Sequence, residues 1–310
     1  MTLSRTGLPL AARSTARPTR SPGSLPHRIE QYLLDKAQRV FEPLKVPGSD
    51  GDVEMLHQMR VSSRRLRVGL KLFSSLFPAD ELKQVLRQLQ EITNRLGNIR
   101  ELDVDVQLLQ KLTRRVAPGA RGFDHALQHV LLTERTRRLG ELRQLMTTLE
   151  QTEFDQRVRL LIVMKQRRLN SRRLLKDSAR QLDDLRRVVR KRYRRFVKKR
   201  SRGAFHKLRV AGKQYRYALE ATEAVFQVKL KGEVRALRTL QDLMGAVHDT
   251  EVLLDTIQRH AEDDISLALP ARQMVKILTG DRNKRFAQFE EFIHAKPVWT
   301  KKIKLTLPDA

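Results

Sequence analysis

Between residues 57 and 71 the chain carries His57, Arg60, Arg64, Arg67 and Lys71 in steps of three, four, three and four, with no acid among them. At helical pitch that spacing places all five on one face of a single α-helix. Met55, Met59, Leu66, Leu70, Phe73 and Phe77 fall together on another face, roughly 120° away. The helix is therefore amphipathic, with a polar face that is cationic along its whole length. The same device returns as His206, Arg209, Lys213 and Arg216, matching His57, Arg60, Arg64 and Arg67 in order and type at an offset of 149, from 57 to 206. A chain built on two such helices must fold so that each apolar face is buried and each cationic face meets water or an anion.

A second pair of segments repeats in the same order. Leu96-Gly97-Asn98-Ile99-Arg100-Glu101-Leu102-Asp103-Val104 matches Met244-Gly245-Ala246-Val247-His248-Asp249-Thr250-Glu251-Val252 at an offset of 148, from 97 to 245. Arg87 and Arg235 are paired by the same offset. Two motifs repeated at nearly equal offsets mark an internal duplication. Apolar periodicity of the helical kind runs through both halves, and no β-alternation of useful length appears. The expected class is all-α, with two pseudo-twofold-related four-helix bundles, about 27–165 and 170–295. Residues 1–26 read as a disordered basic tail, of a composition that an organellar transit peptide shares, and 296–310 as a C-terminal tail. Both glycine segments read as turns between helices, which makes Glu101, Asp103, Asp249 and Glu251 acids of helix N-termini. A break or kink is expected near Glu150. Ser62, Ser63, Gly69, Ala211, Gly212 and Ala218 are small enough to permit close helix approach.

Charge sets the function classes. The chain has 63 Lys and Arg against 35 Asp and Glu, a formal net charge of +28. That exceeds what solubility needs, and its self-repulsion points to a polyanionic partner: nucleic acid, an anionic membrane or an inorganic polyanion. There is no cysteine, hence no disulfide or thiolate chemistry, which suits a reducing cytosol. No apolar run reaches the ~18 residues of a membrane span. No P-loop or Ser/His/Asp arrangement is present, and no cofactor is expected. His125 and His129 form an i,i+4 pair without a third metal ligand.

The motifs His57-x-x-Arg60-Val-x-x-Arg64-Arg65-Leu-Arg67 and His206-x-x-Arg209-Val-x-x-Lys213-Gln-Tyr-Arg216, with the two glycine segments, resemble the CHAD family, the conserved-histidine α-helical domain. The resemblance covers roughly residues 27–295. It implies two four-helix bundles around a central basic cavity, binding of inorganic polyphosphate, and association with polyphosphate granules.

The residues support that ligand independently. Polyphosphate offers about one charge per phosphate and no bases to read, which suits Arg forks and Lys ammonium groups on a rigid support. The first face runs about 21 Å, and two faces brought together would focus their field into a channel. The expected ligand set is His57, Arg60, Arg64, Arg67, Lys71, Arg87, His206, Arg209, Lys213, Arg216 and Arg235. A bound phosphate would raise the pKa of His57 and His206. The dense run from Arg186 to Arg200 could line the same cavity or form an exposed arm for nucleic acid. Nucleic acid is the alternative partner, weakened by an aromatic content of 5% that leaves few stacking rings. An enzyme of phosphoanhydride chemistry would need carboxylates for Mg²⁺, and only Asp103 and Glu251 suggest themselves.

Overall fold

The computed structural model describes residues 24–45, 52–116, 121–164, 171–262, 268–295, 299–300 and 302–305. Among these, regular structure is entirely helical: α1 (Leu25–Phe41), α2 (Val53–Leu72), α3 (Ala79–Thr113), α4 (Arg121–Gln151), α5 (Phe154–Met164), α6 (Ser171–Lys199), α7 (Arg202–Phe226), α8 (Lys231–Glu262) and α9 (Ala268–Ala295), with 3₁₀ turns at Glu42–Lys45 and Ser74–Leu76.

Local chemistry sets the helix starts. Asp52 caps α2, its Oδ1 accepting from the Met55 amide at 2.6 Å, and Ser201 caps α7 by accepting from Ala204 at 3.3 Å. Ser24 caps α1, with Pro26 in the first turn. The helix thus begins inside the stretch read as an N-terminal tail, and Leu25 is buried; residues 1–23 lie outside the described residues. The C-terminal stretch also departs from a free tail. Trp299 is 3% exposed and packs on Tyr193 with centroids 4.8 Å apart, and Ile303 and Leu305 lie against the core. These side chains make the described residues 299–300 and 302–305 part of the body; the rest of 296–310 lies outside the described residues.

The largest correction concerns the two glycine segments. Gly97 and Gly245 sit inside α3 and α8, which run on unbroken for 35 and 32 residues. An interior glycine costs a helix only about 1 kcal/mol. In α3 the buried stripe Leu82, Val85, Leu89, Ile92, Leu96, Ile99 and Leu109 continues across the glycine and holds the helix together. Glu101, Asp103, Asp249 and Glu251 are therefore mid-helix residues. The expected break near Glu150 is present, between α4 and α5, where Glu153 adopts a positive φ of 50°.

Three cores result. One gathers α1 to α5 around Ile29, Leu33, Met59, Leu66 and Phe73 and takes in Leu174 of α6 and Ala221, Val225 and Phe226 of α7. Another gathers α6 to α9 around Phe196, Phe205, Tyr215 and Phe289. The third joins the C-terminal turns of α3 and α8 to α4 and α9 through Leu109, Phe123, Leu253 and Met274. This distribution is consistent with two bundles from a duplication. On α2, burial of Met59, Leu66, Leu70 and Phe73, at about 1.5–3 kcal/mol each, outweighs like-charge repulsion of about 0.2–0.5 kcal/mol per adjacent pair. The cationic face is held in place by the apolar one.

α1 lies close on α2 at Gly69, where a Cβ would stand 2.8 Å from Leu33 Cδ2 and 3.1 Å from Tyr32 Cε1. Gly69→Ala is expected to be nearly neutral, because the gain in helix propensity of about 1 kcal/mol offsets a small shift of Leu33. Gly69→Val should lower stability by about 1–3 kcal/mol through overpacking. An unchanged denaturant midpoint for the valine variant would refute the close approach.

Candidate functional site

α2 packs against α7, and Ser62, Ser63, Gly69, Ala211, Gly212 and Ala218 are all buried. Of these, Gly69 faces Leu33 and Tyr32 of α1, Ser63 faces Thr93 of α3 and Gly212 lies nearest Gln241 of α8. Burial of the apolar faces turns the cations of α2 and α7 toward a shared space. Ser63 Oγ donates to the Arg60 carbonyl at 2.9 Å, and Thr93 Oγ1 of α3 stands 3.1 Å from it. Across the halves, Arg65 Nε donates to Glu220 Oε2 at 3.0 Å. Arg216 holds the other oxygen of Glu220. Both guanidiniums lie over the Tyr217 ring, at 5.8 and 4.5 Å.

Between these helices is a cavity of about 400 Å³. Arg64, Arg67 and Lys71 line it from α2, and His206, Arg209 and Lys213 from α7. Gln90, Thr93, Asn94 and Glu101 of α3 add polar groups, and Val68, Leu185, Val210 and Tyr217 add apolar wall. Six of the eleven residues expected from the sequence therefore share one cavity. The others sit apart from its lining. Arg87 and Arg235 are exposed. Arg216 is engaged by Glu220 and by Gln241, to which its Nε donates at 2.7 Å. His57 and Arg60 are half-buried on the same face as Arg64, and Arg60 acts electrostatically on Lys213 in the cavity wall.

The electrostatics are those of crowded cations. Burial, then Arg64, brings Arg60 down to about 10, and the same two causes bring Arg67 to about 10. Lys213 falls furthest: burial, then Arg209, Arg64 and Arg60, take it to about 6, against a smaller upward pull from Asp249. His57 is lowered by burial, Arg100 and Arg60, and His206 by burial, Arg209 and Lys213. The Nε–H groups of Arg60, Arg67 and Arg209 are buried without a hydrogen-bond partner. Such donors are rarely left unsatisfied.

Sequence reasoning missed the contribution of α3 and α8. The His248 ring lies against that of His206, tilted by 52° with centroids 5.3 Å apart, and Arg100, its counterpart by the 148 offset, acts on His57. Burial, then Arg209 and His206, bring His248 to about 3. Burial raises Asp249 against Arg209 and Lys213, and raises Asp105 to about 7 with Glu101 and Asp249 adding to it. The signal was present in the matched pairs Arg100-Glu101 and His248-Asp249, but a turn in place of a helix turned them away from the site.

The remaining expectations fall outside the cavity. Along Arg186–Arg200, Arg187, Lys191, Arg194 and Lys198 are exposed. Arg186 is held by Asp183 at 2.8 Å and by the Trp299 carbonyl at 3.1 Å, so only Leu185 of α6 reaches the wall. Asp103 is bound by Arg135 at 2.6 Å, and Glu251 by Arg202 at 3.2 Å. His125 and His129 are exposed on α4. Among the described residues no three His, Asp or Glu side chains converge as a metal site, and no helix is long and apolar enough to cross a membrane.

Fold and site define a class: all-helical proteins in which two alike basic helix faces, one from each half of the chain, share a cavity. The CHAD domain family matches residues 32–258, and the chain belongs to that family. The crystal structure of the CHAD domain from the plant Ricinus communis is similar, with a TM-score of 0.67 and 22% identity over 91% of this chain and 94% of that one. PptA from Streptomyces chartreusis aligns with a TM-score of 0.60 and 14% identity, over 87% of this chain and 99% of that one. These likenesses concern the fold. Among curated proteins none matches the sequence.

Proposed function

We propose that the cavity binds inorganic polyphosphate without transforming it, and that this binding brings the protein to polyphosphate granules. One observation carries the reading: Arg64, Arg67 and Lys71 of one half and His206, Arg209 and Lys213 of the other line a single cavity. Among the described residues Glu101 is the one carboxylate on that wall. A flexible chain with a charge on every phosphate can engage both helices at once, whereas a duplex is too wide to enter about 400 Å³ and would be left with the exposed cations of α6. The carboxylates that Mg²⁺-assisted chemistry would draw on, Asp103 and Glu251, are engaged by arginines.

The test is a titration of long polyphosphate against duplex DNA at equal charge and physiological salt. Polyphosphate should bind at one site per chain, more tightly than triphosphate or orthophosphate, because a long chain meets several cations together. DNA should bind weakly and with a steep salt dependence. Equal affinities would overturn the reading in favour of a charge-driven nucleic-acid binder.

A further inference from the structure

We infer that Lys213 is an acylation site for small acyl phosphates, which the cavity recruits by their phosphate group, and that acylation closes the site to polyanions. The inference rests on the polyphosphate reading only in that both need the cavity arginines to hold phosphate.

Lys213 lines the cavity half-buried, beside Arg64, Arg67 and Arg209. The charged and titratable groups facing it are Arg209 and His206 of its own helix, Arg60 and Arg64 of α2, Glu101 of α3, and His248 and Asp249 of α8. Among the described residues none of the carboxylates forms an ion pair with its Nζ. Burial and the neighbouring Arg209, Arg64 and Arg60 bring this amine down to about 6, which favours the free base at neutral pH, and only the free base is a nucleophile. Arginine forks around it fit a phosphate group. An acyl phosphate docked on them presents its carbonyl carbon to the amine. The nitrogen attacks that carbon and a C–N bond forms. The bond from carbon to the bridging oxygen breaks, and phosphate leaves with the electron pair and takes the amine proton as hydrogenphosphate. The same guanidiniums stabilise the charge on the leaving group. The product is an amide, which can no longer take up a proton and meet a polyanion as a cation.

Relative to an ordinary lysine at pH 7, the free-base fraction of Lys213 is about three decades higher. Lower basicity takes back about two decades at a Brønsted slope of about 0.4–0.5, the value known for thiolates. The remaining factor of about ten is increased by docking. Exposed Lys207, on the same helix, is the internal standard.

The experiment incubates the full chain with acetyl phosphate at pH 7 and follows each lysine by peptide mass spectrometry. Lys213 should acetylate more than about tenfold faster than Lys207, saturate with acetyl phosphate, and be protected by inorganic phosphate. Acetylated protein should bind long polyphosphate more weakly, and Lys213→Arg should abolish that sensitivity whatever its own starting affinity. Equal rates at Lys213 and Lys207, or unsaturable labelling that phosphate leaves alone, would overturn the inference. A parallel titration of unmodified protein separates the two readings. Normal polyphosphate binding with unselective acetylation sinks the acylation site alone, and selective, saturable acetylation without polyphosphate binding sinks the proposed function alone.

Discussion

The double variant Arg64→Glu, Arg209→Glu is expected to bind long polyphosphate at least about a hundredfold more weakly than the parent, with its helical circular dichroism intact. Each residue contributes a guanidinium from a different half to the same wall. Two lost charge-assisted contacts, at about 1.5–3 kcal/mol each, come to at least about 3 kcal/mol, or a hundredfold. The fold should survive because neither guanidinium forms an ion pair among the described residues; Arg64 stands among Arg60, Arg67 and Lys213, and Arg209 between Arg64 and the carboxylates of Asp249 and Glu101. The control is Arg190→Glu, Arg194→Glu on the exposed side of α6, which removes the same formal charge. Screened surface charges are worth about 0–1 kcal/mol, so this pair should weaken binding only a few-fold. Comparable losses from both variants would show that +28 acts as a diffuse field, and the cavity would lose its assignment. Reversing only one half is equally informative. If Arg60 and Arg64, or Arg209 and Lys213, can each be reversed without changing the affinity of the other half, the two faces do not form one site.

The parts of this arrangement written in side-chain periodicity were legible in the sequence. Steps of three and four placed Arg64, Arg67 and Lys71 on one face and Met59, Leu66 and Leu70 on another, and the structure keeps that division because burial of the apolar face fixes the rotation of the helix. Matching His206, Arg209 and Lys213 to the first face required only the repeat. What periodicity does not encode is the length of a helix through a glycine. Gly97 and Gly245 punctuate a local reading, yet the apolar stripe on either side outweighs their propensity penalty, and α3 and α8 pass straight through. That one difference moved Glu101 into the cavity wall and Asp249 beside Lys213. Arg216 illustrates another limit. Its spacing repeats that of Arg67, but Glu220 one turn on and Gln241 from α8 claim it, and only the packing of α7 on α8 reveals the second partner. The C-terminal Trp299 was misplaced for a similar reason, since an isolated aromatic carries no period and its partner Tyr193 lies far away in sequence.

Polyphosphate binding should take up protons near pH 7, and Lys213 should supply most of that uptake. In the free protein its value is about 6, so it is largely neutral at pH 7. A polyanion in the cavity replaces the repulsion from Arg209, Arg64 and Arg60 with attraction and raises the value in the complex. Affinity is then fully expressed below about pH 6, falls by up to tenfold per unit as pH rises from there to the value in the complex, and levels off above it. His57 and His206 are also lowered in the free protein, so their uptake begins at more acid pH, and His248, brought to about 3 by burial, Arg209 and His206, begins lower still. Fold stability without ligand has the opposite sign. The unfolded lysine titrates near ~10.4, so between about pH 6 and that value the unfolded chain holds more protons, and this group makes the empty fold more stable as pH rises. Two variants separate the contributions. Lys213→Arg keeps its charge and should bind with a flat profile above pH 7, whereas Lys213→Met should show the wild type's alkaline affinity across the range. Calorimetry at pH 7.5 in two buffers of different ionisation enthalpy measures the uptake directly. An uptake near zero for wild type, or one that persists in Lys213→Arg, would remove Lys213 from the linkage and leave the histidines to account for any pH dependence.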